Sequence, residues 1–261
     1  MSTYVIRDST AMLRRNIKKA IRYPSLTLMV IGMPIIFLVL FVYVFGSTLG
    51  DGLGGTSGGR DAYLTYVTPG ILLFGILGSV QGTAITVSMD KTEGIMDRFR
   101  TMAISRSSVL TGHVIGSLIQ TVLGTAVVMA VAVALGFRSD ATPLEWLGVL
   151  GVMVMVSFAF IWMSVLVGLI AKTVESASNI PMPLMMLPFL GSGFVPTDTM
   201  PAGLRTFAEY QPFTPVNETL RGLLLGTEIG DSAWLAVAWC AGISLVCFLL
   251  ARRRFNRPQT R

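Results

Sequence analysis

Histidine is nearly missing from this chain: His113 is the only one among 261 residues. A single imidazole excludes an HExxH motif and any metal site built from several histidines. Cysteine is almost as scarce. Cys240 and Cys247 stand seven residues apart on one face of an apolar run, with neither CxxC spacing nor a nearby histidine. That pattern reads as packed thiols, not as metal or redox chemistry. Of the lysines, Lys18, Lys19, Lys91 and Lys172, none sits in a GxxxxGK[ST] context, so no phosphate-binding loop is present. A Ser–His pair would have to recruit His113, which falls near the end of an apolar run and reads better as an interfacial polar residue. No catalytic and no metal-binding residue is assigned.

Charge is scarce too. Only 13% of residues are charged against 52% hydrophobic, where a soluble domain carries about a quarter. Mean hydropathy is +0.69, and apolar runs recur that reach the roughly 20 residues needed to cross a bilayer core. The fold class is therefore an all-α polytopic membrane protein. Six spans are expected at about 24–46, 63–89, 109–137, 146–171, 179–195 and 234–251, the fifth short and broken by prolines. The first run is too long for a signal-peptide core and is read as an uncleaved span.

The formal charge of +6 follows the membrane pattern, not that of a nucleic-acid binder. Sixteen Lys and Arg lie in residues 1–23, the 90–108 and 172–178 loops and the 252–261 tail; the opposite loops hold only Arg60, Arg138, Arg205 and Arg221. The positive-inside rule then makes both termini cytoplasmic, in a multi-pass cell-membrane protein. Residues 1–23 space Ile6, Leu13, Ile17 and Ile21 on one stripe with six basic residues around it. This suits an amphipathic helix lying in the cytoplasmic interface, the alternative being a solvated basic tail.

Within the spans, Gly78 with Gly82, and Gly112, Gly116 and Gly124, recur at spacings that let helices approach closely. Gln81 and Gln120 are the most polar side chains expected at mid-span. Each needs a partner, either a neighbouring helix or a transported molecule in a wet pathway. The 47–62 loop is glycine-rich and external.

The most unusual stretch is "DKTEGIMDRFRTMAISR", residues 90–106. Asp90 and Glu93 stand in the relation of a helix-capping pair, Asp90 accepting from the new helix and Glu93 reaching back. Ile95, Phe99 and Met102 then share one stripe, with Asp97, Arg98 and Arg100 turned away. A short cytoplasmic helix is expected, serving either as a docking element for a partner or as a plain connector.

"EGIMDRFRTMAISRSSVLTGHV" resembles the cytoplasmic loop of type-2 ABC exporter permeases, in particular the daunorubicin-resistance-like group. "LRRNIKKAIRYPSL" is similar to that family's interfacial helix leading into the first span, and "FLGSGFVPTDTMPAGLRTFAEYQPFTPVNETLRGLLLG" (189–226) to its fifth span and the external segment after it. The resemblance implies a permease that pairs with a second copy or paralogue and with two separate ATPase subunits, which hold the ATP and Mg; this chain binds no cofactor. It implies a coupling helix over 90–104, with Glu93, Gly94, Ile95, Asp97, Arg98, Phe99 and Arg100 at the ATPase contact. It also implies re-entrant external helices near 199–208 and 215–225, and a gate region with Pro188, Gly193, Pro196, Pro201 and Glu218. The cargo would be an amphipathic drug-like or lipid-like molecule. An ion-coupled carrier or channel without an ATPase is the alternative, disfavoured because the acids fall in loops or at span ends. A membrane-embedded enzyme is disfavoured by the missing catalytic set.

Overall fold

Pro24 lacks the N–H that a first helical turn leaves unpaired, and α1 (Pro24–Leu40) starts there. The computed structural model describes residues 24–52, 59–94 and 106–256. Helix α1 runs through a π-helical turn at Phe41–Phe45 into α2 (Gly46–Asp51). Next come α3 (Arg60–Thr92), α4 (Arg106–Ala134) and α5 (Pro143–Ile170). A broken stretch follows, with α6 (Val174–Asn179), α7 (Met182–Met186) and 3-10 turns at Leu187–Leu190 and Thr197–Thr199. Helices α8 (Ala202–Tyr210), α9 (Phe213–Leu225) and α10 (Ser232–Asn256) complete the order. No strand occurs among the described residues.

Among the described residues, five helical stretches are long and apolar enough to cross a membrane: Ile31–Asp51, α3, Thr111–Ala134 of α4, α5, and Ser232–Phe255 of α10. Their burial separates them sharply. The most apolar windows of α3 and α5 are 72% and 67% buried, against 22%, 33% and 17% for the first, third and last. Thus α3 and α5 form the inside. Exposed Ile36, Val44, Leu123, Trp234 and Leu245 give the peripheral helices apolar outer faces, too much apolar surface for water and suited to lipid or another helix.

Local chemistry explains the boundaries. Thr142 and Glu145 form a reciprocal capping box with Pro143 at the first helical position, so α5 starts there. Close approach replaces hydrophobic driving force inside a bilayer. A Cβ on Gly168 of α5 would lie 2.7 Å from Val87 Cβ and 2.8 Å from the Ala84 carbonyl of α3. One on Gly124 of α4 would meet Ile31 of α1 at 3.3 Å.

The expected fifth span is the chief departure. Residues 173–194 do run the length of α3, because Ser88 bonds the Thr173 carbonyl, Gln81 bonds Ser178 and Tyr63 bonds the Phe194 carbonyl. They do so as short helical pieces, not one helix, since Pro181, Pro183 and Pro188 cannot donate to a continuous ladder. Other ends shift as well: α3 is helical from Arg60 to Thr92, the first span continues to Asp51, and α10 reaches Asn256 into the expected tail. The expected interfacial helix of residues 1–23 lies outside the described residues.

The capping role of Asp90 is overturned. Asp90 belongs to the last turn of α3, and the helix ends two residues later, where the Glu93 N–H closes on the Met89 carbonyl at 2.9 Å. Gly94 follows with φ of 69°, a left-handed conformation that ends helices and favours glycine. Asp90 and Glu93 thus close one helix; they do not open the next. Residues 95–105, with Ile95, Asp97, Arg98, Phe99 and Arg100, lie outside the described residues.

Candidate functional site

Helices α8 and α9 form a hairpin whose turn at Gln211–Pro212 points into the bundle. Leu223 of α9 packs on Gly148 of α5, and Phe213 stacks on Phe160 with ring centroids 5.1 Å apart. Positions 148 and 160 are about 18 Å apart along a helix rising 1.5 Å per residue, so α9 descends that far beside α5. Ten of its residues are buried, whereas α8 keeps Leu204, Phe207 and Tyr210 exposed.

Where this hairpin meets α3 and the broken stretch, polar side chains converge on the backbone of one residue, Ser192. The Ser192 carbonyl accepts from Tyr66 Oη at 3.0 Å, Asn217 Nδ2 at 3.1 Å and Arg221 Nη2 at 2.8 Å. The Ser192 N–H points to Thr214 Oγ1 at 3.4 Å. Arg221, only 8% exposed, also lies 3.9 Å above the Tyr66 ring and donates to Glu218 at 2.6 Å. A buried guanidinium is tolerable only with such partners. Beneath, Gln211 Nε2 donates to the Leu187 carbonyl at 3.0 Å.

Three glycines make the convergence possible. Gly70 and Gly193 press backbone on backbone, so that a Cβ on Gly70 would strike the Gly193 carbonyl. A Cβ on Gly191 would overlap the Gln211 amide and sit 2.7 Å from Thr214 Oγ1. Phe189 and Phe194 stack at 4.3 Å and pack among Phe37, Phe41 and Phe74, tying the broken stretch to α1 and α3. Among the described residues, three buried polar atoms of this cluster keep no partner: Arg221 Nε, Asn217 Oδ1 and Gln211 Oε1.

The other end of α3 is held differently. His113 Nε2 of α4 lies 3.2 Å from Asp90 Oδ2, with the residues 5% and 1% exposed. Lys91 Nζ reaches the Leu169 and Ala171 carbonyls at 2.9 and 2.7 Å, capping the open carbonyls at the end of α5. His113 is therefore a buried partner of Asp90, near the end of α3.

The remaining expected residues scatter. Gln81 donates to the Ser178 carbonyl at 3.0 Å and to its hydroxyl at 3.2 Å; Gln120 is half-buried on α4. Pro188 is buried in the 3-10 turn, Gly193 faces Gly70, Pro196 precedes the second 3-10 turn, and exposed Pro201 opens α8. Of the gate residues, Gly193 and Glu218 border the Ser192 cluster directly. Arg221, counted as a loop charge, is buried in it. Sequence reasoning also missed Tyr66, Asn217 and Ser192. The i, i+4 spacing of Asn217 and Arg221 was a usable signal, but their acceptor is a backbone carbonyl, which no side-chain pattern announces.

Outside the membrane-crossing helices, Arg205 bridges Glu209 at 2.7 Å and Asp198 at 3.0 Å. The Glu209 hydrogen bond leads in holding its pKa above the usual value. A separate cavity of about 200 Å³ lies between α3, α4 and α5, lined by Leu72, Val122, Met129, Val149 and Met153. It is apolar and lacks convergent charged groups.

A model of the ABC-2 type transporter family matches residues 8–225. The "Daunorubicin resistance ABC transporter permease protein DrrB1" of Streptomyces coeruleorubidus is 26% identical over 235 residues, 90% of this chain and 81% of that protein. The "Probable doxorubicin resistance ABC transporter permease protein DrrC" of Mycobacterium tuberculosis is 24% identical over 226 residues, covering 87% and 81%.

Proposed function

Because this chain belongs to the ABC-2 type transporter family, we propose that it is the membrane subunit of an ATP-driven exporter of amphipathic, drug-like or lipid-like molecules. Two copies, or this chain and a paralogue, pair in the bilayer and rest on two separate ATPase subunits. ATP and Mg bind there. The family match over residues 8–225 carries the reading, and the drug-resistance names of its relatives support the cargo class.

In this reading the Asp90 end of the bundle is cytoplasmic and the Tyr63 end external, as the basic asymmetry requires. Residues 95–105 are the ATPase coupling segment. Its roots, α3 and α4, are joined by the Asp90–His113 contact and α3 to α5 by Lys91, so a push on the segment passes into the buried centre of the bundle. Residues 173–194 make the broken fifth crossing, and the α8–α9 hairpin re-enters the membrane to form the external gate. Asp90 lies within three residues of the end of α3, which does not suit a midplane ion site and favours the ABC reading over an ion-coupled carrier.

The decisive experiment replaces Asp97 and Arg98 together by alanine. Membrane insertion should persist while ATPase co-purification weakens or hydrolysis uncouples from cargo movement, by tenfold or more. Unchanged association and transport would sink the coupling assignment. Cysteine at Ser57 or Thr227, with Cys240 and Cys247 replaced, should react with an impermeant thiol reagent from outside; cysteine at Ser105 or Thr260 should react only after permeabilisation.

A further inference from the structure

The Ser192 peptide holds more hydrogen-bond donors than a peptide needs. Its carbonyl has two lone pairs, yet Tyr66, Asn217 and Arg221 all aim at it within 3.1 Å from two different helices. One bond would satisfy a buried carbonyl. Around it, Asn217 Oδ1, Gln211 Oε1 and Arg221 Nε are buried and still unpartnered, although leaving such groups unpaired carries an energetic penalty. The side chains therefore outline a receptor that one loop residue only partly fills. The space among Gly70, Pro188, Gly193 and Asn217 has no room for a water, so a guest enters only if the peptide leaves. Gly191 and Gly193 flank Ser192 and give that peptide the freest backbone in the broken stretch.

We propose that Ser192 stands in for the cargo: when the gate opens, its peptide swings away and a cargo carbonyl takes the three donors. The inference rests on the exporter reading and adds the head-group chemistry. Ser192 offers an acceptor oxygen and, one residue unit away, a donor N–H to Thr214. The unpartnered amide oxygens of Asn217 and Gln211 likewise await a donor. Glu218, 2.6 Å from Arg221, balances the guanidinium charge, so an anion would meet repulsion as well as attraction. The ligand class is a neutral amphiphile with a carbonyl oxygen and an N–H or O–H beside it, its apolar body lying toward the Phe189 and Phe194 rings.

The test uses the permease with its ATPase subunits in lipid nanodiscs and the photoprobe N-dodecanoyl-4-benzoylphenylalaninamide, which is neutral and amide-headed. During ATP turnover, irradiation should attach the probe within residues 187–194 or 211–221. Excess N-dodecanoylglycinamide should cut this labelling about tenfold, and the anion N-dodecanoylglycine should cut it less than about twofold. Tyr66→Phe, which removes one hydroxyl, and Asn217→Ser should each reduce it several-fold, about one lost hydrogen bond. Labelling confined to other regions, equal competition by the anion, or full labelling of both variants overturns the inference. An intact, ATP-hydrolysing complex without labelling there refutes this inference alone. Failure of the ATPase subunits to associate refutes the exporter reading and removes the ground for both.

Discussion

The two ends of α3 solve the same problem by opposite means. Near Asp90 the neighbours are regular helices, so the open polar groups occur where helix geometry leaves them, at termini. Lys91 reaches the last carbonyls of α5, and Asp90 meets His113 from the next helix. Near Tyr63 the neighbour is the non-helical 191–196 stretch, whose carbonyls are open in mid-chain. Tyr63, Tyr66, Asn217 and Arg221 are brought to the Phe194 and Ser192 carbonyls to satisfy them. Irregular backbone at membrane depth survives only when protein or water covers it. The comparison separates two ways of satisfying open carbonyls: at a helix end one neighbouring side chain reaches carbonyls that the ladder leaves over, whereas in an irregular stretch several side chains must gather on one carbonyl.

The most damaging way to test that contrast is Arg221→Leu. It strands Glu218 and leaves Ser192 with two of its donors, and it should lower stability in nanodiscs by about 3 kcal/mol, the lower end for breaking a buried pair because Glu218 is partly exposed. Adding Glu218→Gln should recover part of the loss; no recovery would show that the packing over Tyr66, and not the charge, was what mattered. Gly168→Val comes next. It forces α3 from α5 near the Asp90 end, where both helices are stiff, and overpacking of this kind costs about 1–3 kcal/mol. A native melting point would leave no role for that close approach. His113→Ala should cost about 1–2 kcal/mol by leaving the Asp90 carboxylate short of a partner, with His113→Gln restoring some of it. If His113→Ala proves worse than Arg221→Leu, the ranking of the two ends is reversed. Asp140→Ala, at an exposed loop position, should stay within about 0.5 kcal/mol in thermal unfolding and leave transport unchanged.

Much of the architecture was legible because hydropathy reports a solvent, and the bilayer is one. The long apolar runs became α1 with α2, α3, α4, α5 and α10, with ends displaced by a few residues. The same reading misplaced Asp90, since a D-x-x-E spacing fits the last turn of one helix as well as the first turn of another; Gly94, with its positive φ, was the clue to the former. It also left Arg221 in a loop, because a lone basic residue between apolar runs looks solvated until its neighbours are known.

What the sequence determined by itself is the all-helical, multi-pass class, the breaking of the 179–195 run by its prolines, and membership of a transporter family with its motifs in residues 8–225. Those follow from local properties: apolar length, missing N–H groups and short motif spacings. Tertiary structure alone decided that α3 and α5 lie inside while α1, α4 and α10 face outward. It decided too that Asp90 meets His113 across 23 residues of chain, and that Arg221, Asn217 and Tyr66 share one carbonyl. Apolar composition is nearly the same on all faces of these helices, so nothing local marks the buried one. Close approaches such as those at Gly70, Gly124, Gly168 and Gly191, and the demand of an irregular stretch for hydrogen-bond partners, fix which residues meet.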